Sequence, residues 1–194
     1  YAWGVASTDL RESVLRAAVG YIADHGPDGL SIRQVANDAG VSHQAPYHHF
    51  GDRSAIFAAI ALEGFERLTA AMQRAAEKAT SDEAPIAIGE QYVDFALRNR
   101  GHFRVMFRDD LCDHADPELR RAADDAFNTL LSQARQVEGP RATDDRVRLR
   151  AITMWSVAHG LASLLIDGPV HRKMVFPGGQ KALIRAVLTA GGIH

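Results

Sequence analysis

Apolar residues recur every three or four positions along most of this chain, which is the period of an amphipathic helix. No segment alternates apolar and polar residues for long enough to predict a strand. Leu10, Val14, Ala18 and Tyr21, for example, share one face of a helix that starts near Asp9. The pattern predicts an all-α fold of about nine helices, at residues 9–25, 31–38, 42–49, 52–79, 83–99, 101–110, 117–137, 144–167 and 179–190. Residues 1–8 are expected to form a loose tail.

Short polar side chains mark the starts of the second, third and fourth helices. Ser31 and Gln34 have the spacing of a capping box, and Ser42 and Asp52 stand where helix N-caps are expected. Gly40 follows the second helix, where glycine readily adopts a left-handed turn. Two short helices joined by a tight glycine turn predict a helix-turn-helix, whose second helix reads the major groove of DNA.

The helix-turn-helix residues also carry a family resemblance. The run from Ser31 to Ser42, followed by Tyr47-His48-His49-Phe50 and Asp52-Arg53, resembles the DNA-binding domain of the TetR family. The match extends from about Asp9 to Phe57. It implies a DNA-binding domain at residues 9–55, a helical ligand-binding and dimerisation domain at 56–194, and a homodimeric regulator of transcription that is not an enzyme.

The resemblance implies which side chains contact DNA: Ser31, Arg33, Ser42, His43, Gln44, Ala45, Tyr47, His48, His49 and Arg53. Within this set, Gln44 has the paired donor and acceptor that match adenine in the major groove. Arg53 begins the fourth helix, where a cation and free backbone N–H groups suit a phosphate. Pro46 departs from the family pattern, because proline lacks an N–H and crowds the carbonyl of Ser42. We expect the recognition helix to begin in a tighter turn.

The C-terminal half is rich in aromatic residues at helical spacing. Trp155-x3-His159-Gly160, together with Phe103-Arg104-x-Met106-Phe107, is similar to a TetR subgroup with this Trp-x3-His-Gly motif. The resemblance implies a cavity for a small apolar or aromatic effector, although such a stripe is more often plain core. The candidate lining residues are Phe65, Tyr92, Phe95, Phe103, Phe107, Phe127, Trp155 and His159.

The last two long helices predict a dimer interface. Residues 147–166 are apolar nearly all round, so this helix must be buried on more than one side. The final helix carries a smooth face of Ala182, Leu183, Ala186, Val187 and Ala190. Two such helices from each subunit make a four-helix interface.

Composition narrows the classes of protein that fit. With 22 basic and 24 acidic residues the net charge is −2, so a prediction of DNA binding rests on the local motif alone. The single cysteine, Cys112, excludes an internal disulfide and fits a reducing cytoplasm. The sequence has no run of 18 apolar residues and no leader pattern, so we expect a cytoplasmic protein with no membrane partner.

Other interpretations were weighed against these. A metal site at His43, His48 and His49 has poor spacing, and Cys112-x-His114-x-Asp116 fits a solvated loop in which Asp116 caps the next helix. Glu63 and Glu66 are the best carboxylate pair for an enzyme, but no catalytic motif accompanies them. We therefore expect no metal and no cofactor besides an effector. The expected function is a repressor that leaves a near-palindromic operator when the effector binds, with activation as the open alternative.

Overall fold

The computed structural model describes residues 2–113, 115–168, 170 and 176–193, with side chains from residue 10 onward. Within these residues the secondary structure is entirely helical, so the all-α prediction is confirmed. The helices are α1 (Ala2–His25), α2 (Ile32–Asp38), α3 (Ala45–Phe50), α4 (Arg53–Lys78), α5 (Ala84–Arg98), α6 (Arg100–Met106), α7 (Pro117–Glu138), α8 (Asp144–Ile166) and α9 (Gly179–Ala190).

The chain divides into two compact units, which we call the head and the body. The head comprises residues 1–65 and 99–121, and the body comprises residues 66–98 and 122–194. Packing thus places α6 in the head, although the sequence assigned residues 56–194 to one C-terminal domain. The functional division at residues 55 and 56 stays a prediction.

Buried aliphatic and aromatic side chains at helical spacing form the core of the head. They are Val14, Ala18, Ile22, Leu30, Val35, Ala36, Ile56, Phe57 and Ile60. Each large side chain of this kind contributes roughly 1.5–3 kcal/mol when it is fully removed from water. These residues come from α1, α2, α4 and the loop before α2, so the core fixes α2 for its role in the turn.

Helix α6 is fastened closely to α1. A Cβ atom on Gly101 would lie 2.3 Å from the carbonyl oxygen of Val19, so only glycine permits this approach. Arg104 Nη1 donates to the carbonyl oxygens of Ile22 (3.1 Å) and Ala23 (3.0 Å), near the end of α1. The last carbonyls of a helix have no partner within it, and Arg104 supplies one.

Two helix boundaries differ from the predictions. The sequence predicted a loose tail at residues 1–8, but α1 already begins at Ala2 because residues 2–8 contain no proline to stop it. Asp9 therefore lies inside α1 rather than at its cap. The predicted helix at 101–110 ends at Met106, and Arg108 then pairs with Asp110 in the turn that follows.

In the body, an ion cluster joins the ends of three helices. Glu138, the last residue of α7, accepts from Arg150 Nε at 2.7 Å and also pairs with Arg146, both on α8. Arg150 Nη1 donates to the carbonyl oxygen of Gly192, beyond α9, at 3.1 Å. Hydrogen bonds from Arg150, which has the larger effect, and from Arg146 hold the pKa of Glu138 below its usual value.

Helix α8 is apolar on both sides. Its inner face includes Val147, Ala151, Met154 and Leu165, all buried. By length and composition alone it is the one helix of the described residues that reaches the threshold for crossing a membrane, with a window of mean hydropathy 1.4. A core helix of a soluble protein passes the same test, so this is weak evidence for a membrane span.

Candidate functional site

The helix-turn-helix is built as the sequence predicted up to the end of its turn. Ser31 Oγ accepts from the Gln34 backbone N–H at 3.1 Å, which caps α2. The Gln34 side chain bonds to Asp38 instead of returning to Ser31, so one arm of the capping box forms. Gly40 has a φ of 67°, a conformation that suits glycine, and Val41 N–H closes the helix end on the Ala36 carbonyl.

The recognition helix α3 starts later than predicted. Ser42 does not cap it. The Ala45 N–H bonds to the Ser42 carbonyl at 3.0 Å in a tight turn, and Gln44 occupies the N-cap position without a side-chain bond. Pro46 lies in the first helical turn, where its missing N–H costs least. The predicted tighter start of this helix is therefore observed.

The two faces of α3 differ in exposure. Ala45 is only 9% exposed and Pro46 is buried, so this side of α3 packs against the head, and contact of Ala45 with a base stays a prediction. Tyr47 is 52% exposed, an unusual position for an aromatic ring. The other exposed candidates near the helix are Ser42, His43, Gln44 and His48, and His49 is half-buried. On α2, the Arg33 side chain is exposed, as is Ser31 before it.

Two candidate DNA contacts also hold the motif together. His43 Nε2 hydrogen-bonds to Asn37 Oδ1 at 2.8 Å, which ties the start of the recognition segment to α2. Arg53 Nη1 donates to the carbonyl oxygens of Leu30 (3.2 Å) and Asp28 (3.4 Å), so it anchors the loop before α2 to the start of α4. Arg53 as a residue is nevertheless exposed, and its contact with phosphate stays a prediction. Sequence reasoning missed Asn37, because its pairing depends on how the turn folds.

The aromatic candidates fall into both units. In the head, Phe107 makes edge-to-face contacts with Phe65 (5.4 Å between ring centroids) and Phe103 (5.5 Å). In the body, Trp155 contacts Phe127 (6.2 Å) and His159 (6.0 Å) edge-to-face. Phe95 is buried in the body as well.

A hydrogen-bonded chain runs through the body cluster. Trp155 Nε1 donates to Tyr92 Oη at 3.1 Å, and Tyr92 Oη lies 2.9 Å from His159 Nδ1. Because the indole can only donate, the Tyr92 hydroxyl oxygen accepts from Trp155 and also pairs with His159 Nδ1. Burial raises the pKa of Tyr92 and lowers the pKa of His159, so the cluster is neutral at pH 7. Beside it lies a cavity of 10 Å³, enough for one water, lined in part by Tyr92 and Trp155.

The alternative chemistries find little support. The described residues contain no cluster of three or more His, Cys, Asp or Glu side chains suited to a metal, and His114 lies outside those residues. Asp116 Oδ1 accepts from the N–H groups of Glu118 and Leu119 at 3.0 Å, so it caps α7 as predicted. Cys112 is 4% exposed, and burial, followed by nearby carboxylates, raises its pKa to about 11. Glu63 Oε1 lies 3.5 Å from His102 Nε2, and Glu66 is exposed.

Comparison with known protein families distinguishes a DNA-binding regulator from the alternative functions. Residues 14–60 match the family described as "Bacterial regulatory proteins, tetR family", and residues 85–190, more than half of the chain, match "Tetracyclin repressor-like, C-terminal domain". The chain belongs to the TetR family. It is therefore a DNA-binding regulator of transcription and not an enzyme. Members of the TetR family bind operator DNA, are typically dimers and respond to small molecules, with no cofactor required.

Individual TetR relatives agree with this assignment. The "HTH-type transcriptional repressor AcnR" of Corynebacterium glutamicum is 36% identical over 67 residues, 34% of this chain and 36% of that protein. AcnR of Corynebacterium efficiens is 26% identical over 171 residues, 88% of this chain and 85% of that protein. The "HTH-type transcriptional activator FasR" of Mycolicibacterium smegmatis is 24% identical over 176 residues, 87% of this chain and 78% of that protein.

A solved structure shows the same fold along nearly the whole chain. It is described as a protein with unknown function from Rhodococcus sp. RHA1, with a TM-score of 0.73 and 33% identity. The match covers 93% of this chain and 90% of that one.

Proposed function

We propose that this TetR-family chain is a homodimeric repressor that leaves a near-palindromic operator when a small apolar or aromatic effector binds in its body. The observation that carries the proposal is the exposed face of α3. Tyr47 and Gln44 point outward there, while Ala45 and Pro46 anchor the helix to the head. In a two-fold dimer, two such helices enter major grooves roughly 34 Å apart, or a multiple of that spacing.

Exposed apolar residues on α8 support the dimer. Leu149 (66% exposed), Ile152 (49%) and Leu164 (51%) lie on one side of the helix, because 15 residues are close to four helical turns. A stripe of this kind marks an interface. On α9, Ala186 and Ala190 are exposed and suit the same interface, whereas Leu183 is buried within its own chain and drops out of the predicted face.

The body cluster of Tyr92, Trp155 and His159 is the proposed polar end of the effector site. It is neutral and lies among apolar side chains, so it suits an uncharged effector with one hydrogen-bonding group. The Trp155-x3-His159-Gly160 run also favours the TetR subgroup with that motif.

Release from DNA follows if the effector and DNA favour different states. The neighbouring cavity is only 10 Å³, too small for an effector, so the effector binds a state in which these side chains have moved apart. DNA and effector then oppose each other by a coupling of typically about 1–3 kcal/mol. Helix α4 contributes residues to both units and is the proposed link.

Repression is the favoured direction because two of the relatives above are named repressors. Activation is the second candidate, since FasR is named an activator.

Selection of random duplex DNA on the purified protein tests the proposal. We expect recovery of a two-fold symmetric site, in much lower yield with Tyr47→Ala and in full yield with Gln136→Ala, an exposed change on α7. A reporter placed behind the recovered site then separates repression from activation. Recovery of no symmetric site, or an undiminished yield with Tyr47→Ala, would contradict the assignment of α3.

A further inference from the structure

A groove of 770 Å³ opens on the body between the second half of α4, the outer face of α5 and the start of α9. Its volume falls in the range of about 300–1,000 Å³ that small-molecule sites occupy. The apolar part of its lining consists of Ala75, Ala79, Ala87, Leu97 and Ile184. None of these residues belongs to the aromatic clusters, so the groove is a separate candidate site.

The carboxylates in the groove already have partners. Asp94 accepts from Arg98 Nε at 2.9 Å, one turn along α5. Glu90 accepts from Arg185 Nη1 at 3.2 Å, and the same guanidinium also pairs with Glu83. The negative charges of this surface are therefore compensated within the body.

Unlike the carboxylates of the groove, its two lysines have no ionic partner among the described residues. Lys78 ends α4 and Lys181 lies in the first turn of α9, and both line the groove. Neither has an ion pair or a hydrogen bond among the residues that the structure describes. The groove thus combines an apolar part and polar side chains such as Gln91 and Gln180 with two lysines that have no ion pair among the described residues.

We propose that this groove binds a small amphipathic anion, in which a carboxylate or phosphate head is joined to an apolar tail. Lys78 and Lys181 attract the head, and the tail lies along Leu97 and Ile184. Charge complementarity selects an anion over a neutral molecule of the same length. This site goes beyond the neutral effector proposed for the Tyr92 cluster, and it does not depend on that proposal.

Calorimetry on the full chain without DNA tests the groove, with three probes below their micelle concentrations. Dodecanoate and dodecyl phosphate carry the two kinds of head, and dodecanol has the same tail without a charge. We expect both anions to bind and dodecanol to bind about tenfold more weakly or worse. The double variant Lys78→Gln/Lys181→Gln should weaken both anions about tenfold and leave dodecanol unchanged. Arg120→Gln/Arg141→Gln, two exposed residues outside the groove, gives the matched loss of charge and should change nothing.

Several results would overturn the site. One is equal binding of dodecanol and dodecanoate, and another is unchanged affinity in the lysine variant. Loss of dodecanoate binding in His159→Ala, with full binding in the lysine variant, would assign the ligand to the aromatic cluster. Dissociation of the dimer by the lysine variant, without a change in ligand affinity, would make the groove a contact between copies of the chain. Operator selection by α3 is measured without these probes, so the two proposals fail independently.

Discussion

Gln44 is exposed at the start of the recognition helix, and its side-chain amide presents a donor and an acceptor side by side. A bidentate contact of that kind to adenine contributes roughly 1–3 kcal/mol of discrimination at one base pair. Tyr47 lies three residues further along, where a phosphate contact carries no base preference. The two side chains therefore make different predictions for DNA recognition.

Gln44→Ala should relax the preference at one base pair of each half-site and leave the rest of the operator sequence unchanged. Tyr47→Ala should weaken binding to every duplex by a similar factor. Competition binding with a panel of single-base operator variants measures both effects. A uniform loss of affinity in Gln44→Ala would remove it as a base-reading residue.

Gly101→Ala should destabilise the head, because the added methyl group meets the Val19 carbonyl oxygen at 2.3 Å and one helix must shift. We expect a loss of about 1–3 kcal/mol, or a fall in Tm of very roughly 2–10 °C. Gly20→Ala is the matched control, since a Cβ atom there meets nothing within 4 Å. In the interior of α1 it should stabilise by roughly 0.5–1 kcal/mol. Thermal unfolding of both variants measures these effects. Equal Tm changes in Gly101→Ala and Gly20→Ala would contradict the close crossing of α1 and α6.

Residue roles that depend on local spacing could be predicted from the sequence. Ser31 and Asp116 cap their helices as expected, because a capping oxygen and the backbone N–H that donates to it lie two or three residues apart. Arg104 could not be predicted to bond to the Ile22 carbonyl, which lies 82 residues away along the chain. The low exposure of Ala45 could not be predicted either, because it depends on where α3 starts.

At the scale of elements, hydrophobic periodicity places most helices within one to three residues. For example, helices predicted at 83–99 and 144–167 are observed at Ala84–Arg98 and Asp144–Ile166. The errors arise at helix ends that no strong sequence signal marks, as at the start of α1. They also arise where the capping position differs from the predicted one, as in α3, whose N-cap is Gln44 and not Ser42. Side-chain pairing between elements is invisible to periodicity, and the cluster at the end of α7 is an example.

Glu138 should make the stability of the body depend on acid pH. Its pKa is lowered in the folded chain, so its contribution is present above the unfolded value and is lost as the pH falls through the folded value. Glu138→Gln should therefore lower the Tm at neutral pH and reduce the loss of Tm below about pH 4.3. Thermal unfolding over a series of pH values measures this. Glu77→Gln, an exposed change on α4, should keep the wild-type profile, and an unchanged profile in Glu138→Gln would rule out the cluster as its source.

At the scale of the whole molecule, the sequence predicts that the helix at residues 144–167 packs against a partner subunit, which stays a prediction, but it did not show which of its residues the single chain leaves uncovered. Residues 147–166 looked apolar all round, and the fold divides them into an inner face and the exposed stripe of Leu149, Ile152 and Leu164. The effector site was harder to predict, because a core and a cavity use the same side chains. Eight candidates were spread over head and body, and only Tyr92 and Trp155 line the small cavity.

Leu149→Asp/Leu164→Asp should convert the protein to a monomer, because two carboxylates cannot be buried unpaired in an interface. Binding to a palindromic site should then weaken by about 100-fold or more, since two heads no longer act together. Light scattering and operator binding measure the two effects. Asn128→Asp/Ser132→Asp, on the exposed side of α7, adds the same charge and should leave a dimer. If the Leu149→Asp/Leu164→Asp variant remained a dimer, the interface could not lie on this face of α8.

The buried thiol of Cys112 makes this protein convenient for distance measurements. At neutral pH the thiolate is the form that reacts with labelling reagents, and a pKa of about 11 leaves roughly 100-fold less of it than at an exposed cysteine of ordinary pKa. Cys112 is also the only cysteine of the chain. A cysteine introduced at an exposed position outside the candidate DNA contacts, such as Asp24, would therefore take up most of a spin label without removal of the native thiol. In a dimer, two identical labels report the separation of the two heads directly, with and without each ligand.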